Sequence, residues 1–412
     1  MPARIAIATV GTTGDVLPFA TLTRALRAAG HEVRAISWEL HRGPFEAAGA
    51  GFTPAGPATT WDEIADTARR AADARSPLDQ VAILRDFHLR DAARHYAALR
   101  AALAGHDLVL LHGIHSLAEA AVRDLGLRWA TAAFDPVLLP TATRPPAGLP
   151  SLGPLNRFAW WMLDRMLGRL NGPLDAALRT AGSPSAGEVA LFRGRSPLLH
   201  MVACSPAIAG VPADLPAHVR FIGAWTDPSP PEPLPLELEA FLAAGPRPVA
   251  VTFGSMAFAD PERITGIVVE ALQRAGLRGV VQAGAAGIRP PAAEGILPAE
   301  TLDHRSLFPR VAAVVHHGGA GTTHSVAAAG VPSIVVPHVG DQAFWANRLR
   351  RLRVSPAPVP PRRLSAEILA ERLREATTSG RMQASAGSLA LQLAAEDGPS
   401  TAISLLEAAA AG

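Results

Sequence analysis

The clearest chemical pattern in the chain is a pair of histidines followed by glycines and threonines. Val311 to Val315 is a short apolar run rich in β-branched side chains, which predicts a buried strand of a parallel sheet. It ends at His316 and His317, and Thr322 and Thr323 are placed to cap the Ala-rich helix that follows the glycines. Because a strand, a glycine turn and a helix aim unpaired N–H groups at a ligand, we expect an anion site here.

Two familiar anion sites can be compared with this pattern. The chain contains no lysine, which excludes a Walker phosphate loop. The dinucleotide pattern G-x-G-x-x-G is nearly spelled from Gly319 onward, with Asp341 at about the distance of a ribose-binding acid. His324 replaces the third glycine, however, and histidines at a strand tip suit a phosphate group better than a hydride acceptor. A dehydrogenase therefore fits the pattern poorly.

A second strand, glycine turn and helix open the chain and carry Asp15. Ile5 to Val10 predicts a buried strand, and the helix is expected from about Pro18 to Ala29. Asp15 is then either the N-cap of this helix, a role typically worth about 1 kcal/mol, or a catalytic base. The second role is favoured because carboxyl groups with shifted pKa values cluster in such loops.

Further polar side chains follow the next two predicted strands. His112 and His115 come after the strand at Asp107 to Leu111, and Asp135 comes after the strand at Arg128 to Phe134. We expect them at the same sheet edge as the first glycine turn, because carboxyl ends of parallel strands meet there. A hydrogen-bonded structural imidazole and an Asp-Pro turn are the ordinary alternatives, so both roles stay open.

The amino-acid composition limits the classes of protein to which the chain can belong. With 412 residues, 49% hydrophobic and 18% charged, the chain can bury the cores of two α/β domains. Its formal charge of +2 comes without a basic run, so the sequence predicts no nucleic-acid partner. Cys204 is the single cysteine and cannot form an internal disulfide. No leader precedes the first strand and no apolar run reaches the length of a membrane span, so we expect a cytoplasmic protein.

A proline-rich stretch over residues 227–240 predicts the linker between two doubly wound α/β domains at 1–226 and 241–395. Trp61 to Ala104 has apolar residues at helical spacing and predicts one or two inserted helices. A later helix, predicted at Leu155 to Leu170, carries an aromatic cluster. Such a cluster is most often core, and an apolar acceptor or a membrane surface are the alternatives.

The stretches HHGGAGTTH, GVPSIVVP and DQAFWANR resemble the nucleotide-sugar signature of the family 1 glycosyltransferases. The pattern is similar to the bacterial branch that acts on antibiotics, sterols and glycolipids, and it covers the C-terminal half closely. The resemblance implies a GT-B fold, in which two Rossmann-like domains face each other across a cleft and the second holds most of the sugar donor. It also implies that a last helix, at about 396–410, packs back on the first domain.

The resemblance further implies inverting transfer of a sugar from a UDP- or dTDP-sugar to a hydroxyl of a small hydrophobic acceptor. Asp15 matches the position of the family's catalytic base. His304 stands where the plant pattern has glutamine, so we expect the nucleotide base to be bound through backbone groups. The expected donor-binding residues are Ser255, His304, His317, Gly319, Gly321, Thr322, Thr323, Asp341 and Gln342, and the expected acceptor-binding residues are Thr13, His112, His115, Asp135, Trp160 and Trp161.

No cofactor or metal is expected from the sequence. The chain contains no D-x-D pair, and a helix N-terminus with a histidine can stabilise a leaving diphosphate instead. Two other functions stay open. A non-catalytic partner protein that binds nucleotide sugars would be expected to lose the base or the histidine, and a sugar-nucleotide epimerase or hydrolase would need acidic residues around the anomeric carbon.

Overall fold

A computed structural model describes residues 2–146, 149, 151–254, 258, 260–284 and 287–411. The chain divides into two compact units, of which the first comprises Met1–Pro206, Gly210–Asp227 and Asp397–Gly412 and the second comprises Ala207–Ala209 and Pro228–Glu396. Each unit contains a parallel sheet flanked by helices. The predicted α/β class with two parallel sheets is therefore confirmed.

The sheet of the first unit has seven strands among the described residues. They are β1 Arg4–Ala8, β2 Glu32–Ser37, β3 Gly51–Pro54, β4 Leu108–His112, β5 Trp129–Ala133, β6 His200–Val202 and β7 Val219–Phe221. They pair in the order β3-β2-β1-β4-β5-β6-β7, and every pairing is parallel. Strands β2 and β3 are thus added on one side of β1 and strands β4 to β7 on the other side, which is the doubly wound arrangement.

Helices cover both faces of this sheet. They are α1 Thr13–Ala28, α2 Arg42–Ala47, α3 Trp61–Ala72, α4 Pro77–His88, α5 Ala92–Leu103, α6 Ser116–Asp124, α7 Asn156–Gly168, α8 Gly172–Thr180 and α17 Gly398–Ala411. Side chains alternate along β1: Ile5 and Ile7 pack in a core with α1 and with Leu406 of α17, whereas Ala6 and Ala8 pack in a core with α5 and α6. A strand buried on both faces explains the unbroken apolar run of β1.

The second unit repeats this plan with a five-stranded sheet in its described part. Its strands are β8 Val249–Thr252, β9 Gly279–Gln282, β10 Ile296–Ala299, β11 Ala313–His316 and β12 Ser333–Val335, in the parallel order β10-β9-β8-β11-β12. Its helices are α9 Pro206–Ala209, whose last three residues belong here, α10 Leu236–Ala243, α11 Pro261–Ala275, α12 His304–Leu307, α13 Ala320–Ala328, α14 Gln342–Arg351, α15 Ala366–Thr378 and α16 Gly380–Ala394. Single-turn 3₁₀ helices occur at Glu39–His41, Gly153–Leu155, Phe308–Arg310 and Pro361–Arg363.

Two helix starts and the number of helices in one segment differ from the sequence-based expectation. Helix α1 begins at Thr13, so Pro18 lies within the helix and does not open it. The segment expected to form one or two helices forms three, α3, α4 and α5. Helix α13 begins at Ala320 with Gly319 as its N-cap, so the threonines lie inside the first turn and do not cap it. Within the described residues, no helix combines the length and the apolar character needed to cross a membrane.

Candidate active site

Asp15 lies in the first turn of α1, directly after the glycine turn that follows β1, and its side chain is 31% exposed. One carboxylate oxygen, Oδ2, accepts hydrogen bonds from the Thr12 backbone N–H at 2.8 Å and from the Thr12 hydroxyl at 3.0 Å. Thr12 is the N-cap of α1 and Asp15 is the third residue of the helix, so the alternative role of Asp15 as the N-cap itself is wrong. The two contacts hold the carboxylate in one orientation.

Gly11 makes this orientation possible. Its φ is +121°, and a β-carbon at this position would lie 2.4 Å from Oδ2 of Asp15. No other residue type combines this backbone conformation with such a close approach of the carboxylate. The first glycine of the turn therefore leaves the space that the Asp15 carboxylate occupies.

His112 is the last residue of β4, and its imidazole lies next to the Asp15 carboxylate. Its Nε2 lies 3.9 Å from Oδ1 of Asp15, and the imidazole is 5% exposed. The ring packs edge-on against Phe19, and Phe134 contacts it from the end of β5. Burial lowers the pKa of His112, while the Asp15 carboxylate acts in the opposite direction. A neutral imidazole facing a carboxylate can donate a hydrogen bond to it or share a proton with it.

Asp135 follows β5 at the same sheet edge. Its Oδ1 accepts a hydrogen bond from the Val137 backbone N–H at 2.8 Å. Burial of the carboxyl group raises the pKa of Asp135 to about 6, and the negative charge of Asp15 acts in the same direction. The structure thus brings Asp15, His112 and Asp135 together, and Thr13 is exposed beside them at the start of α1.

Two other predicted acceptor contacts are buried in structural roles. The imidazole of His115 packs against that of His95, with ring centroids 5.4 Å apart, and burial lowers its pKa well below the ordinary value. Trp160 is 5% exposed, and its indole N–H donates to the Arg144 carbonyl at 2.7 Å, so it anchors the preceding loop. Trp161 differs from both, because 51% of its surface is exposed.

His317 follows β11 in the second unit and is enclosed by glycines. A β-carbon at Gly254 would lie 3.2 Å from its ring, and one at Gly319 would lie 2.4 Å from its Nε2. Burial lowers the pKa of His317 to about 4, so the imidazole is neutral at pH 7 and can donate one N–H. Its Nδ1 is buried and has no hydrogen-bond partner among the described residues.

His316 has a different position, although it is the adjacent residue. It is the last residue of β11 and completely buried. Its Nδ1 accepts a hydrogen bond from the Gly318 backbone N–H at 3.2 Å. Gly318 has a φ of +89°, so His316 helps to hold the turn that presents His317.

The N-terminus of α13 follows this turn. The first bond within the helix runs from the Thr323 N–H to the Gly319 carbonyl, so the preceding N–H groups of Ala320, Gly321 and Thr322 lie in the unsatisfied first turn. The Thr323 side chain is fully buried and does not present its hydroxyl to solvent. The unsatisfied N–H groups are therefore shifted one residue toward the N-terminus relative to the expected Gly321–Thr323.

Asp341 and Gln342 open α14 after β12. The Asp341 carboxylate accepts a hydrogen bond from the Trp345 indole N–H at 2.6 Å. The amide oxygen of Gln342 accepts from the backbone N–H groups of His338 and Val339, at 2.7 and 3.1 Å. Gln342 thus holds the turn after β12 and Asp341 is held by Trp345 of α14, so both side chains have a fixed orientation for any further contact.

His338, which sequence analysis missed, lies in that same turn. Both of its ring nitrogens are buried, and the ring packs edge-on against Phe258. Burial lowers its pKa to about 4. His304 stacks on Phe308 with centroids 4.2 Å apart. Ser255, the remaining predicted donor contact, lies outside the described residues.

Among the described residues, no group of three or more His, Cys, Asp or Glu side chains has a geometry that could hold a metal ion. The polar groups around His317 and α13 are N–H donors, which suit an anion.

Comparison with known proteins decides the family. Residues 292–409 match the model of the C-terminal domain of erythromycin biosynthesis protein CIII-like proteins. The chain is 34% identical to the O-mycaminosyltylonolide 6-deoxyallosyltransferase of Streptomyces fradiae over 98% of its own length and 97% of that protein. It is a family 1 glycosyltransferase. The family predicted from the sequence is therefore confirmed, and so is the prediction that the protein is an enzyme.

Solved structures support the fold of this glycosyltransferase. The calicheamicin glycosyltransferase CalG4 superposes with a TM-score of 0.73, at 17% identity, over 99% of this chain and 98% of that chain. The Streptomyces sp. SF2575 glycosyltransferase SsfS6, complexed with thymidine diphosphate, superposes with a TM-score of 0.63, at 22% identity, over 98% of this chain and 99% of that chain. The predicted GT-B fold is confirmed.

The contact between Gly319 and His317 gives a first testable prediction. Gly319 has φ −63° and ψ 149°, which alanine adopts freely, so Gly319→Ala strains only the contact with the imidazole. We expect Gly319→Ala to lower the free energy of unfolding by about 1–3 kcal/mol, as overpacked sites do. Thermal unfolding measures this change. Gly321→Ala is the control, because a β-carbon there meets nothing within 4 Å; equal stability of the two variants would contradict the packing argument.

Proposed function

We propose that this glycosyltransferase moves a sugar from a UDP- or dTDP-sugar to a hydroxyl of a small hydrophobic acceptor, with inversion at the anomeric carbon. The observation that carries the proposal is the Asp15 carboxylate, fixed by Thr12 at one oxygen and facing His112 with the other. A fixed, partly exposed carboxylate at a sheet edge can accept a proton from an acceptor hydroxyl.

In this reaction the acceptor oxygen loses its proton to Asp15 and forms a bond to the anomeric carbon. The bond from that carbon to the diphosphate oxygen breaks at the same time, and the electron pair leaves with the diphosphate. His112 would stabilise the carboxyl group that results, because its Nε2 is the nearest polar ring atom to Oδ1 of Asp15, at 3.9 Å. Direct displacement from the opposite side inverts the configuration of the sugar.

The second unit supplies the groups that suit the leaving diphosphate. The His317 imidazole and the first-turn N–H groups of α13 are N–H donors, which stabilise developing negative charge. Asp341 and Gln342 are the proposed contacts to sugar hydroxyls; Trp345 orients the first and the turn after β12 orients the second. The thymidine diphosphate in the SsfS6 structure supports a nucleoside diphosphate donor.

The proposed acceptor is a small hydrophobic molecule with a free hydroxyl. The Streptomyces fradiae relative is named as a transferase that acts on O-mycaminosyltylonolide, which supports an acceptor of the natural-product class. Phe134, which is half-buried and contacts the His112 ring, provides an apolar side chain beside the proposed base.

Product analysis tests this proposal. The enzyme is incubated with UDP- and dTDP-sugars and a panel of hydrophobic alcohols, and intact mass detects glycosylated products. We expect release of nucleoside diphosphate that depends on the acceptor. Release of nucleoside diphosphate without acceptor would indicate a hydrolase. Conversion of the donor sugar to its epimer would indicate an epimerase, and binding of the donor without turnover would indicate a non-catalytic partner protein. The same assay in EDTA should proceed unchanged, because N–H donors are proposed to replace a metal.

A further inference from the structure

Helix α7 and its N-cap residue Leu155 expose several large apolar side chains. Leu155 is 62% exposed, Phe158 57%, Trp161 51%, Met162 50% and Met166 38%. We call these five residues the α7 outer face. Their spacing of three, four and seven residues places them on adjacent turns of one side of the helix. Contiguous exposed apolar surface of this kind marks an interaction site more often than isolated apolar residues do.

The α7 outer face is not needed to attach the helix to its own unit. Asn156, Ala159 and Trp160 are the buried residues of α7 and lie on the opposite side. Asn156 donates to the Ala142 carbonyl at 2.9 Å, and Trp160 donates to the Arg144 carbonyl at 2.7 Å. The inner side therefore anchors α7, and the outer face remains available to a partner.

The charges on the exposed side of α7 are predominantly positive. The guanidinium of Arg165 lies 5.1 Å above the Trp161 ring, and Arg169 is also exposed. Arg157 is exposed as well, and its guanidinium lies 3.8 Å from the Asp214 carboxylate. Asp164 is the acidic residue of α7, and it pairs with Arg193. The outer face thus combines aromatic and aliphatic side chains with arginines, and its acidic neighbour is already neutralised.

We propose that the α7 outer face binds the surface of an anionic lipid bilayer. Helices that lie in a membrane interface have a Trp-, Phe- and Leu-containing side flanked by basic residues. Tryptophan and arginine both suit the level of lipid headgroups, because each has an apolar body and a polar end. This inference does not depend on the proposed sugar transfer, and it would place the enzyme where apolar acceptors concentrate.

Two other occupants fit the charges and shape less well. A second copy of the chain in a two-fold dimer would place the arginines of one outer face opposite those of the other, which is repulsive. A small molecule is usually bound in a concave pocket that covers most of its surface, whereas these side chains project from the outer side of a helix. A negatively charged, extended surface satisfies both the apolar and the basic residues.

Vesicle sedimentation with the full chain tests the proposal. Vesicles of phosphatidylcholine with phosphatidylglycerol are compared with vesicles of phosphatidylcholine alone, at low and high salt. We expect binding to the anionic vesicles that weakens with salt and is lost in Phe158→Ser combined with Trp161→Ser. Arg165→Gln should weaken binding about fivefold, the usual contribution of one basic residue at an anionic surface.

Two controls separate the α7 outer face from general properties of the chain. Leu391→Ser removes a leucine that is 76% exposed on α16, and Arg289→Gln removes an arginine whose side chain is 70% exposed. Both should bind vesicles as the parent does. Met162→Ser replaces the double variant if that variant fails to fold by circular dichroism.

Three outcomes would overturn the proposal. The first is an absence of vesicle binding at low salt, and the second is equal weakening by the control substitutions. The third is a dimer in analytical ultracentrifugation that Trp161→Ser dissociates, because the outer face would then bind a second copy. Sedimentation requires no turnover, so the result is independent of whether the proposed reaction is correct.

Discussion

The variant Asp15→Asn is expected to lose roughly 10²- to 10⁴-fold in turnover, the usual contribution of general base catalysis. Asparagine has nearly the shape of aspartate, and its side-chain oxygen can accept the hydrogen bonds from the Thr12 N–H and hydroxyl. It cannot accept a proton from the acceptor hydroxyl. Affinity for UDP should barely change, since the proposed donor contacts belong to other residues.

A matched control for this variant exists on α4. Asp79 is the third residue of that helix, and its carboxylate accepts a hydrogen bond from the N-cap Ser76 hydroxyl at 2.8 Å, much as Asp15 accepts from Thr12. Asp79→Asn and Asp15→Asn should therefore cost a similar, small amount of stability, since each removes one charge at a helix N-terminus. Turnover of Asp15→Asn within a few-fold of the parent enzyme would exclude Asp15 as the base and direct the search to His112 and Asp135.

The sequence predicted the strands that carry the site because their physical cause is local. Strands β1, β4 and β11 are buried on both faces, so each appears as an apolar run that ends where its polar residue begins. The parallel order of the strands then brings Asp15, His112 and Asp135 to one edge, as expected from the chain order alone. A local pattern and one topological rule were sufficient for this part of the fold.

Boundaries that depend on hydrogen bonds of single side chains were predicted less well. Pro18 was interpreted as the start of α1, whereas the helix begins at Thr13 after the N-cap Thr12 and contains the proline. Ser76 caps α4, and Asp91 adopts a left-handed conformation before α5, so the segment breaks into three helices. Each of these helix boundaries depends on one capping side chain or one backbone conformation, which the spacing of apolar residues does not reveal.

Contacts made by distant parts of the chain could not be predicted at all. His338 lies near His317 because β12 pairs in parallel with β11, which aligns His316 with Val335 and places the following turn beside the histidines. The amide oxygen of Gln342 is engaged by the backbone of that turn, a contact that depends on the conformation of residues 338–342. The sequence spacing from the histidines predicted the position of Asp341 and Gln342 but not their hydrogen-bond partners.

The second large effect is expected for His317→Ala, which should weaken binding of UDP and dTDP by about 1.5–3 kcal/mol, the usual loss for a hydrogen bond to a charged group. The imidazole is neutral at pH 7 because burial lowers its pKa to about 4, so it contributes an N–H donor to the proposed diphosphate contact and not a full charge. His317→Gln retains a side-chain N–H and should recover part of the loss. Isothermal titration calorimetry measures both variants.

His316→Ala distinguishes a ligand contact from a packing effect at this strand end. Both variants remove a buried imidazole, so both should lower the melting temperature through the cavity that they leave. His316 lies within β11 and accepts from the Gly318 N–H, so its loss should loosen the turn while leaving the His317 ring between Gly254 and Gly319. We therefore expect a much smaller loss of nucleotide affinity for His316→Ala. Equal losses would show that the histidines act through the shape of the turn and that His317 makes no contact of its own with the diphosphate.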